Sequence, residues 1–497
     1  MLLRPALDDH RSIANDLGRI IGVLAIAALA PLAWAIGKGE WASAGTFVLL
    51  IGLTVATAAF ADRIVPVRKR TVNWSHGMVV AALTWLVVPA YSTVPLWMSG
   101  YYGRWIDSYF DAMSGLTTTG LSLVQDVDHM PESVNLWRHM LQFLGGQGIV
   151  LAALMFLAGS GALSLFEGEG REHRMFPNVR TTARFIWMVS AAHALIGITI
   201  LTVDGAAGQG FGVERAFFHA ITVFMAAFDT GGFSPMSTSI AYYDSVVFEA
   251  IVGVLMIAGA MSFGLHHAIW HRRTGGGNIE VRTILTTLGI TVGVTVVGLV
   301  STGFLKDPYS LVRIGLFHVL SAHSGTGFAT ISTHDLASWS GLAFAGVAIA
   351  MALGGMSSST AGGVKALRVA VAVRAMADTV REALLPDGAV VGRTYRHHGT
   401  RRLTPMLTRS VFAISLLYVA LYLSGAFVAL AYGYDLQPAL FESISASAAV
   451  GLSVGITNPT MPVLLEIVYI LQMWIGRLEF IAIAALIGFT ISTAFGK

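Results

Sequence analysis

S-G-L-T-T-T-G-L-S, residues 114–122, has three counterparts further along the chain. They read A-F-D-T-G-G-F-S at 227–234, S-A-H-S-G-T-G-F-A-T at 321–330 and S-A-A-V-G-L-S-V-G at 447–455. Each ends a short amphipathic segment wedged between two membrane-length apolar stretches. Helix, re-entrant loop and helix, repeated four times in one chain, is the plan of a pseudo-fourfold pore. Glycine suits such loops because it reaches backbone conformations that turn carbonyl oxygens towards an ion. A cation leaving water needs its hydration shell replaced by oxygens in a low-dielectric setting. The pattern therefore points to a cation conduit. Small residues also let helices approach closely, but four at matching places in four hairpins favour the pore.

Composition agrees with a membrane setting. Of 497 residues, 55% are hydrophobic and 12% charged, and the mean hydropathy is +0.69, whereas soluble domains carry about 25% charged residues. A helix needs about 20 mostly apolar residues to cross hydrocarbon. Ten spans are expected, near 17–36, 43–62, 75–97, 137–160, 182–203, 245–270, 283–304, 339–374 (interrupted), 406–432 and 462–495. Four shorter segments, 106–118, 214–229, 311–325 and 437–449, are too short to cross and should enter and leave by one face. The expected fold is an all-α integral membrane protein with four pseudo-symmetric helix–pore loop–helix repeats around a central pore, plus two N-terminal transmembrane helices. Residues 1–72 form that helix pair. The pore repeats follow at 73–175, 176–277, 278–400, which has the broken inner helix, and 401–497. Glycines Gly120, Gly232, Gly327 and Gly451 recur at whole-hairpin intervals, far longer than the roughly 20–50 residues of a solenoid.

Basic residues set the orientation. With the N-terminus in the cytoplasm, 24 of the 31 Lys and Arg fall inside, six outside, and Arg477 lies within the last span. The pI of about 9.1 then reports topology, and nucleic-acid binding is not needed to explain it. The N-terminal stretch M-L-L-R-P-A-L-D-D-H-R-S lacks a signal-peptide core, so the first span is expected to remain. The absence of cysteine excludes disulfides and thiolate metal sites. No G-x-G-x-x-G opening a strand–helix unit and no G-x-x-x-x-G-K-[ST] loop occurs, so nucleotide sensing, if used, belongs to another chain.

The ring of oxygens is expected from Thr118, Thr119 and Gly120, from Thr230, Gly231 and Gly232, from Thr326 and Gly327, and from Val450 and Gly451. Each pore helix would point its partly negative C-terminal end at the ring. The carboxylates Asp107, Asp111, Asp126, Asp128, Asp229, Asp244, Asp307 and Asp335 near the outer mouth read as an anionic vestibule or as solvated loop charge. Asp229, three residues before Gly232, is expected to shape the second loop. The eighth span is interrupted by L-G-G-M-S-S-S-T-A-G-G-V-K at 353–365, which cannot lie against lipid. Gly354, Gly355, Ser358, Ser359, Thr360, Gly362 and Gly363 read as a flexible constriction below the ring. Arg477 must face a wet cavity or a partner. A pore-facing role fits a gate, and a pair with Glu466 or Glu479 is the alternative, although Glu479, two residues on, should face elsewhere. Gly145, Gly146 and Gly148 read as close-packing positions. His266, His267 and His271 lack the third ligand and glutamate of a zinc site. Catalytic residues are not expected, nor is any cofactor beyond bound K+.

The residues F-D-A-M-S-G-L-T-T-T-G, W-R-H-M-L-Q-F-L-G-G-Q-G-I-V, G-G-M-S-S-S-T-A-G-G-V-K-A-L-R and G-R-L-E-F resemble the Trk/Ktr/HKT superfamily of potassium transporters. The resemblance is strongest to the bacterial Trk-type uptake subunit, whose extra N-terminal helix pair is similar. It implies potassium uptake across the inner membrane through a single-layer filter formed by the ring residues, with 353–363 as the gating loop and Arg477 near it. It also implies a homodimer on cytosolic nucleotide-binding regulatory subunits. Relatives that favour sodium often carry serine at the first filter position, so Gly120 implies potassium preference, with sodium or mixed passage as the alternative. The second loop, D-T-G-G-F, and the third, S-G-T-G-F, depart from the family's usual sequences, as does G-G-Q-G at 145–148.

Overall fold

The computed structural model describes residues 5–64, 74–148, 179–271, 277–303, 307–386, 394–397 and 399–496. Two long apolar helices, α1 (Leu7–Lys38) and α2 (Trp41–Ile64), form the N-terminal hairpin. They are pinned where Asn15 donates to the Ala61 carbonyl (2.8 Å) and Arg19 meets Asp62 (2.8 Å). Between them Glu40 accepts the amides of Glu132 and Ser133 (2.9 and 3.1 Å), which fastens this hairpin to the next.

Four helix–loop–helix units follow. The first is α3 (Trp74–Met98), α4 (Trp105–Leu116) and α5 (Glu132–Gln147). The second is α6 (Val179–Val203), α7 (Val213–Phe228), α8 (Val246–Ala260) and α9 (Phe263–Trp270). In the third, α10 (Ile279–Thr302) leads to α11 (Pro308–Ser324), a short α12 (Thr333–Ala337), α13 (Gly341–Leu353) and α14 (Ala366–Leu384). A two-stranded antiparallel hairpin, β1 (Thr394–Arg396) with β2 (Thr400–Arg402), precedes the fourth. That unit comprises α15 (Pro405–Ala431), α16 (Leu436–Ser447), α17 (Val463–Leu478) and α18 (Ile481–Phe495).

Local chemistry explains the starts. Ser245, Ser262, Asn278, Asp307, Ser340 and Thr404 each accept an amide of the first turn they cap. Pro308 and Pro405 occupy first-turn positions that have no amide to satisfy.

Among the described residues, six helices are long and apolar enough to cross a membrane, or eight if each sharply bent pair is one span. Two of the ten expected spans therefore differ. The fourth, 137–160, runs into residues outside those described. The eighth, 339–374, is two helices, of which α13 is too short to cross, separated by the non-helical stretch 354–365. The bends lie between α8 and α9 (103°) and between α17 and α18 (109°). The chain is mostly helical as expected, with one small β1–β2 hairpin after the third unit's last helix.

Candidate functional site

The four glycine loops meet in one closed circuit. A Cβ on Gly120 would collide with the Gly231 carbonyl, one on Gly232 with Thr326, one on Gly327 with Val450, and one on Gly451 with Thr119. Each loop thus presses its glycine against the peptide preceding the next loop's glycine, and the fourth returns to the first. Backbone geometry repeats as well. The glycines have φ of 91°, 74°, 86° and 93°, and the residues two before them, Thr118, Thr230, Gly325 and Ala449, have 57°, 51°, 76° and 53°. Three of those four carry side chains in the left-handed region, at about 1–2 kcal/mol each. Such strain persists where surrounding contacts over-determine it.

The restraint is visible in the hydrogen bonds. Thr119, Gly231, Thr326 and Val450 donate their amides to the carbonyls of Ser114, Ala226, Ser321 and Ser445 at 2.8, 2.8, 2.9 and 3.0 Å. Each bond closes the C-terminus of α4, α7, α11 or α16, so helix end and loop form one unit. Behind three of them an inner-helix glycine lies against the last pore-helix carbonyl: Gly145 against Leu116, Gly259 against Phe228, Gly476 against Ser447. The expected close packing at Gly145 has this cause. Gly148 caps α5 with φ 88°.

All the ring residues named from the sequence are brought together here. Their hydroxyls serve different ends. Thr117 pairs with Thr119 (2.9 Å) and Ser324 with Thr326 (2.8 Å) within their loops. Thr230 instead reaches the Thr360 hydroxyl (3.1 Å) of the interrupted span. Asp229 is buried, accepts the Gln147 side chain (2.6 Å) and abuts Gly146. Gln147 in turn accepts from Ser190 on α6 (2.7 Å).

The interrupted stretch 354–365 lies against the helix-end side of this ring. A Cβ on Gly362 would strike the Ala448 carbonyl, and Gly325 lies beside Ala361 and the Gly362 amide. Thr360 bonds to the Gly259 and Phe228 carbonyls (3.0 and 3.3 Å). Gly354 and Gly363, with φ of 66° and 77°, approach each other so closely that neither tolerates a side chain. Ser358 also takes a left-handed conformation, and Ser359 bonds back to Met356 (2.7 Å). Gly355 accepts the Ala366 amide (2.9 Å), which starts α14. Buried Glu280 on α10 accepts the Ser357 amide (2.8 Å).

Arg477 donates to the Thr360 carbonyl of this stretch (2.9 Å) and to the Gly145 carbonyl of α5 (2.6 Å), and its guanidinium lies 5.3 Å from the Trp85 ring. The two acids considered for it have other partners. Glu479 pairs with Arg368, and Glu466 with Arg104 (3.0 Å).

The carboxylates divide into two groups. Asp107 and Asp111 are buried and paired with Arg104 and Arg138, so neither belongs to an open vestibule. Their apolar-faced helix turns them inward to meet arginines that the sequence places in loops or across the unit. At the rim, the His129 imidazole beside Asp126 holds that carboxyl below its usual range. Asp307 is lowered by the Ser310 amide it accepts. Asp128 holds Ser237, and Asp244 meets Arg313 (3.5 Å). The histidine trio divides: His266 bonds to the Ala258 carbonyl (2.9 Å), while His267 and His271 stack on each other at 4.1 Å. Among the described residues no group of three or more His, Cys, Asp or Glu could hold a metal ion.

Several contributors escaped the sequence. Gln142 on α5 donates to the Gly231 carbonyl and accepts the Phe233 amide (3.3 Å), clamping the second loop from behind. Glu280 and Glu442 hold backbone amides of the interrupted stretch and of the fourth loop. A buried glutamine or glutamate in an apolar helix was the available signal, since such groups need partners.

Comparison with known proteins agrees with this architecture. The family described as TrkH, cation transport protein, matches residues 47–491. An uncharacterized cation transporter of Methanocaldococcus jannaschii is 29% identical over 485 residues, covering 96% of this chain and 95% of that one. The Trk system potassium uptake protein TrkH of Halomonas elongata is 26% identical, covering 96% and 98%. The crystal structure of the potassium transporter TrkH from Vibrio parahaemolyticus superposes with a TM-score of 0.82 at 22% identity, over 96% of this chain and 98% of that one.

Proposed function

This chain belongs to the TrkH family of cation transport proteins, and from that premise we propose that it carries potassium into the cell through the four-loop ring. The relatives named as potassium uptake proteins support the choice of ion. The single observation that carries the mechanism is the closed circuit of Gly120, Gly232, Gly327 and Gly451 against the next loop's peptide. In this reading Thr118, Thr119, Gly120, Thr230, Gly231, Gly232, Thr326, Gly327, Val450 and Gly451 supply main-chain oxygens that replace water around one dehydrated K+. The C-terminal ends of α4, α7, α11 and α16 add favourable field for a cation.

The stretch holding Gly354, Gly355, Ser358, Ser359, Thr360, Gly362 and Gly363 is the gate. It blocks the path on the helix-end side of the ring, and Arg477 latches it through the Thr360 carbonyl. A fixed positive charge there raises the barrier to a passing cation. The protein is read as a homodimer in the inner membrane with its N-terminus in the cytoplasm, controlled by cytosolic nucleotide-binding subunits. The 24-to-6 distribution of Lys and Arg supports that orientation.

The test is flux of K+ and Na+ into liposomes containing the purified protein, with and without proton or sodium gradients. Potassium influx exceeding sodium influx supports the reading. Equal or greater sodium influx replaces it with a sodium or mixed transporter, and no cation flux removes it.

A further inference from the structure

Two of the four pore helices carry a carboxylate in the same register. Asp111 on α4 and Glu442 on α16 each lie nine positions before their loop's glycine, Gly120 and Gly451, and each reaches the serine two positions after it, Ser122 or Ser453. At that register the other two helices have Val223 and His318.

The Glu442 carboxylate gathers the fourth loop's outgoing chain. One oxygen accepts the Ser453 hydroxyl (2.5 Å) and the amides of Val454 (2.9 Å) and Ile456 (3.2 Å), and the other accepts the Thr457 hydroxyl (2.7 Å). Glu442 is fully buried and, among the described residues, has no ion pair. The Asp111 carboxylate accepts Ser122 (2.6 Å), Tyr102 (2.8 Å) and Arg138 (2.7 Å). Arg138 also donates to Ser122 (2.8 Å) and lies 4.3 Å from the Phe233 ring, next to Gly232. One buried cluster therefore grips the first loop and touches the second. The third loop has a weaker counterpart, with His318 accepting the Thr330 amide at 3.4 Å.

Buried charge-assisted bonds to backbone are strong and directional. They restrain each chain where it leaves the ring, on the side away from the pore-helix end. Ring, helix end and outgoing strand are then tied at three points, leaving the loop little freedom to contract around a smaller ion.

We propose that Glu442 and the Asp111–Arg138 pair are positioning residues for ion discrimination, setting the width of the ring from behind without touching the ion. The proposal rests on the reading of the ring as the filter.

The test is the ratio of K+ to Na+ flux in liposomes for Glu442→Ala, Ser453→Ala and Ser122→Ala, beside Gly451→Ser as a change in the ring itself. Loss of one such bond weakens the restraint by about 1.5 kcal/mol, so the ratio is expected to fall about tenfold in Ser453→Ala, further in Glu442→Ala. A uniform loss of both fluxes with the ratio unchanged would be the mark of general instability and would overturn the proposal. So would unchanged ratios in the serine variants while Gly451→Ser shifts its own. Should Gly451→Ser leave the ratio unaltered too, the filter reading itself fails. If Glu442→Ala does not assemble, the two serine variants, each removing a single hydroxyl, decide the matter.

Discussion

Replacing Gly232 by alanine tests the ring at one of its tightest joints. The added methyl meets two obstacles. The backbone at Gly232 has φ 74°, a conformation that costs a residue with a side chain about 1–3 kcal/mol. The methyl would also sit far inside contact distance of the Thr326 carbonyl, which must retreat on the order of 1 Å to restore ordinary separation. That carbonyl is one of the oxygens assigned to the ion. Strain alone corresponds to a loss of about 5- to 150-fold, and displacement of the oxygen adds to it. Gly210→Ala is the matched control, because Gly210 has φ 73° but nothing within 4 Å of an added methyl. Both variants carry conformational strain and only one displaces the ring. Potassium influx and the K+/Na+ ratio in liposomes should fall sharply in Gly232→Ala, and the ratio should stay near wild type in Gly210→Ala. Wild-type influx and ratio in Gly232→Ala would refute the reasoning.

Removing the guanidinium in Arg477→Ala deletes two charged hydrogen bonds that hold Thr360 and Gly145, worth about 1.5–3 kcal/mol each. Basal potassium influx should rise at least about tenfold, and unchanged influx in a correctly assembled protein would contradict the latch. Glu280→Ala leaves the buried Ser357 amide without its acceptor, at about 1–3 kcal/mol. Stability in detergent should drop and basal influx rise, with Glu280→Gln milder because an acceptor oxygen remains. Asp307 has its carboxyl lowered by the Ser310 amide, so its capping contribution is complete above the ordinary value of 3.8 and is lost as pH falls through its lower, folded value. External acidification to about pH 5 should therefore leave the α11 cap intact, whereas Asp307→Ala should lower thermal stability at neutral pH. Stability that rises as pH falls through the carboxyl's range, and does so only while Asp307 is present, would show the sign to be wrong.

Much of this was legible because glycine and hydrophobicity leave strong local marks. The pore segments expected at 106–118, 214–229, 311–325 and 437–449 lie close to α4, α7, α11 and α16. The run of four glycines and four hydroxyl residues at 353–365 did mark a break in the helix. Glu479 pairs with Arg368 just past the end of the helix, so a bend and not a helical offset directs it. Pairings between distant residues were not legible. Asp111 read as an outer-mouth charge and nothing singled out Glu442, because the serines they hold lie beyond the loop, 11 positions on. Arg138 read as an outside charge, though its partner lies 27 positions back and both are buried. Glu280 meets Ser357 across 77 residues. The bend at Glu479 and Phe480 has no glycine or proline to announce it. Both residues adopt left-handed backbone there, with φ of 52° and 72°, and the Arg368 pair holds the first of them.

The most direct measurement is anomalous diffraction from crystals grown in rubidium, a potassium surrogate visible by its scattering. A single peak inside the circuit, coordinated by the carbonyls of Thr119, Gly231, Thr326 and Val450, is the predicted result. Ordered rubidium found only elsewhere in the protein, with the circuit empty at saturating concentration, would contradict the assignment of this ring as the place where the ion sheds its water.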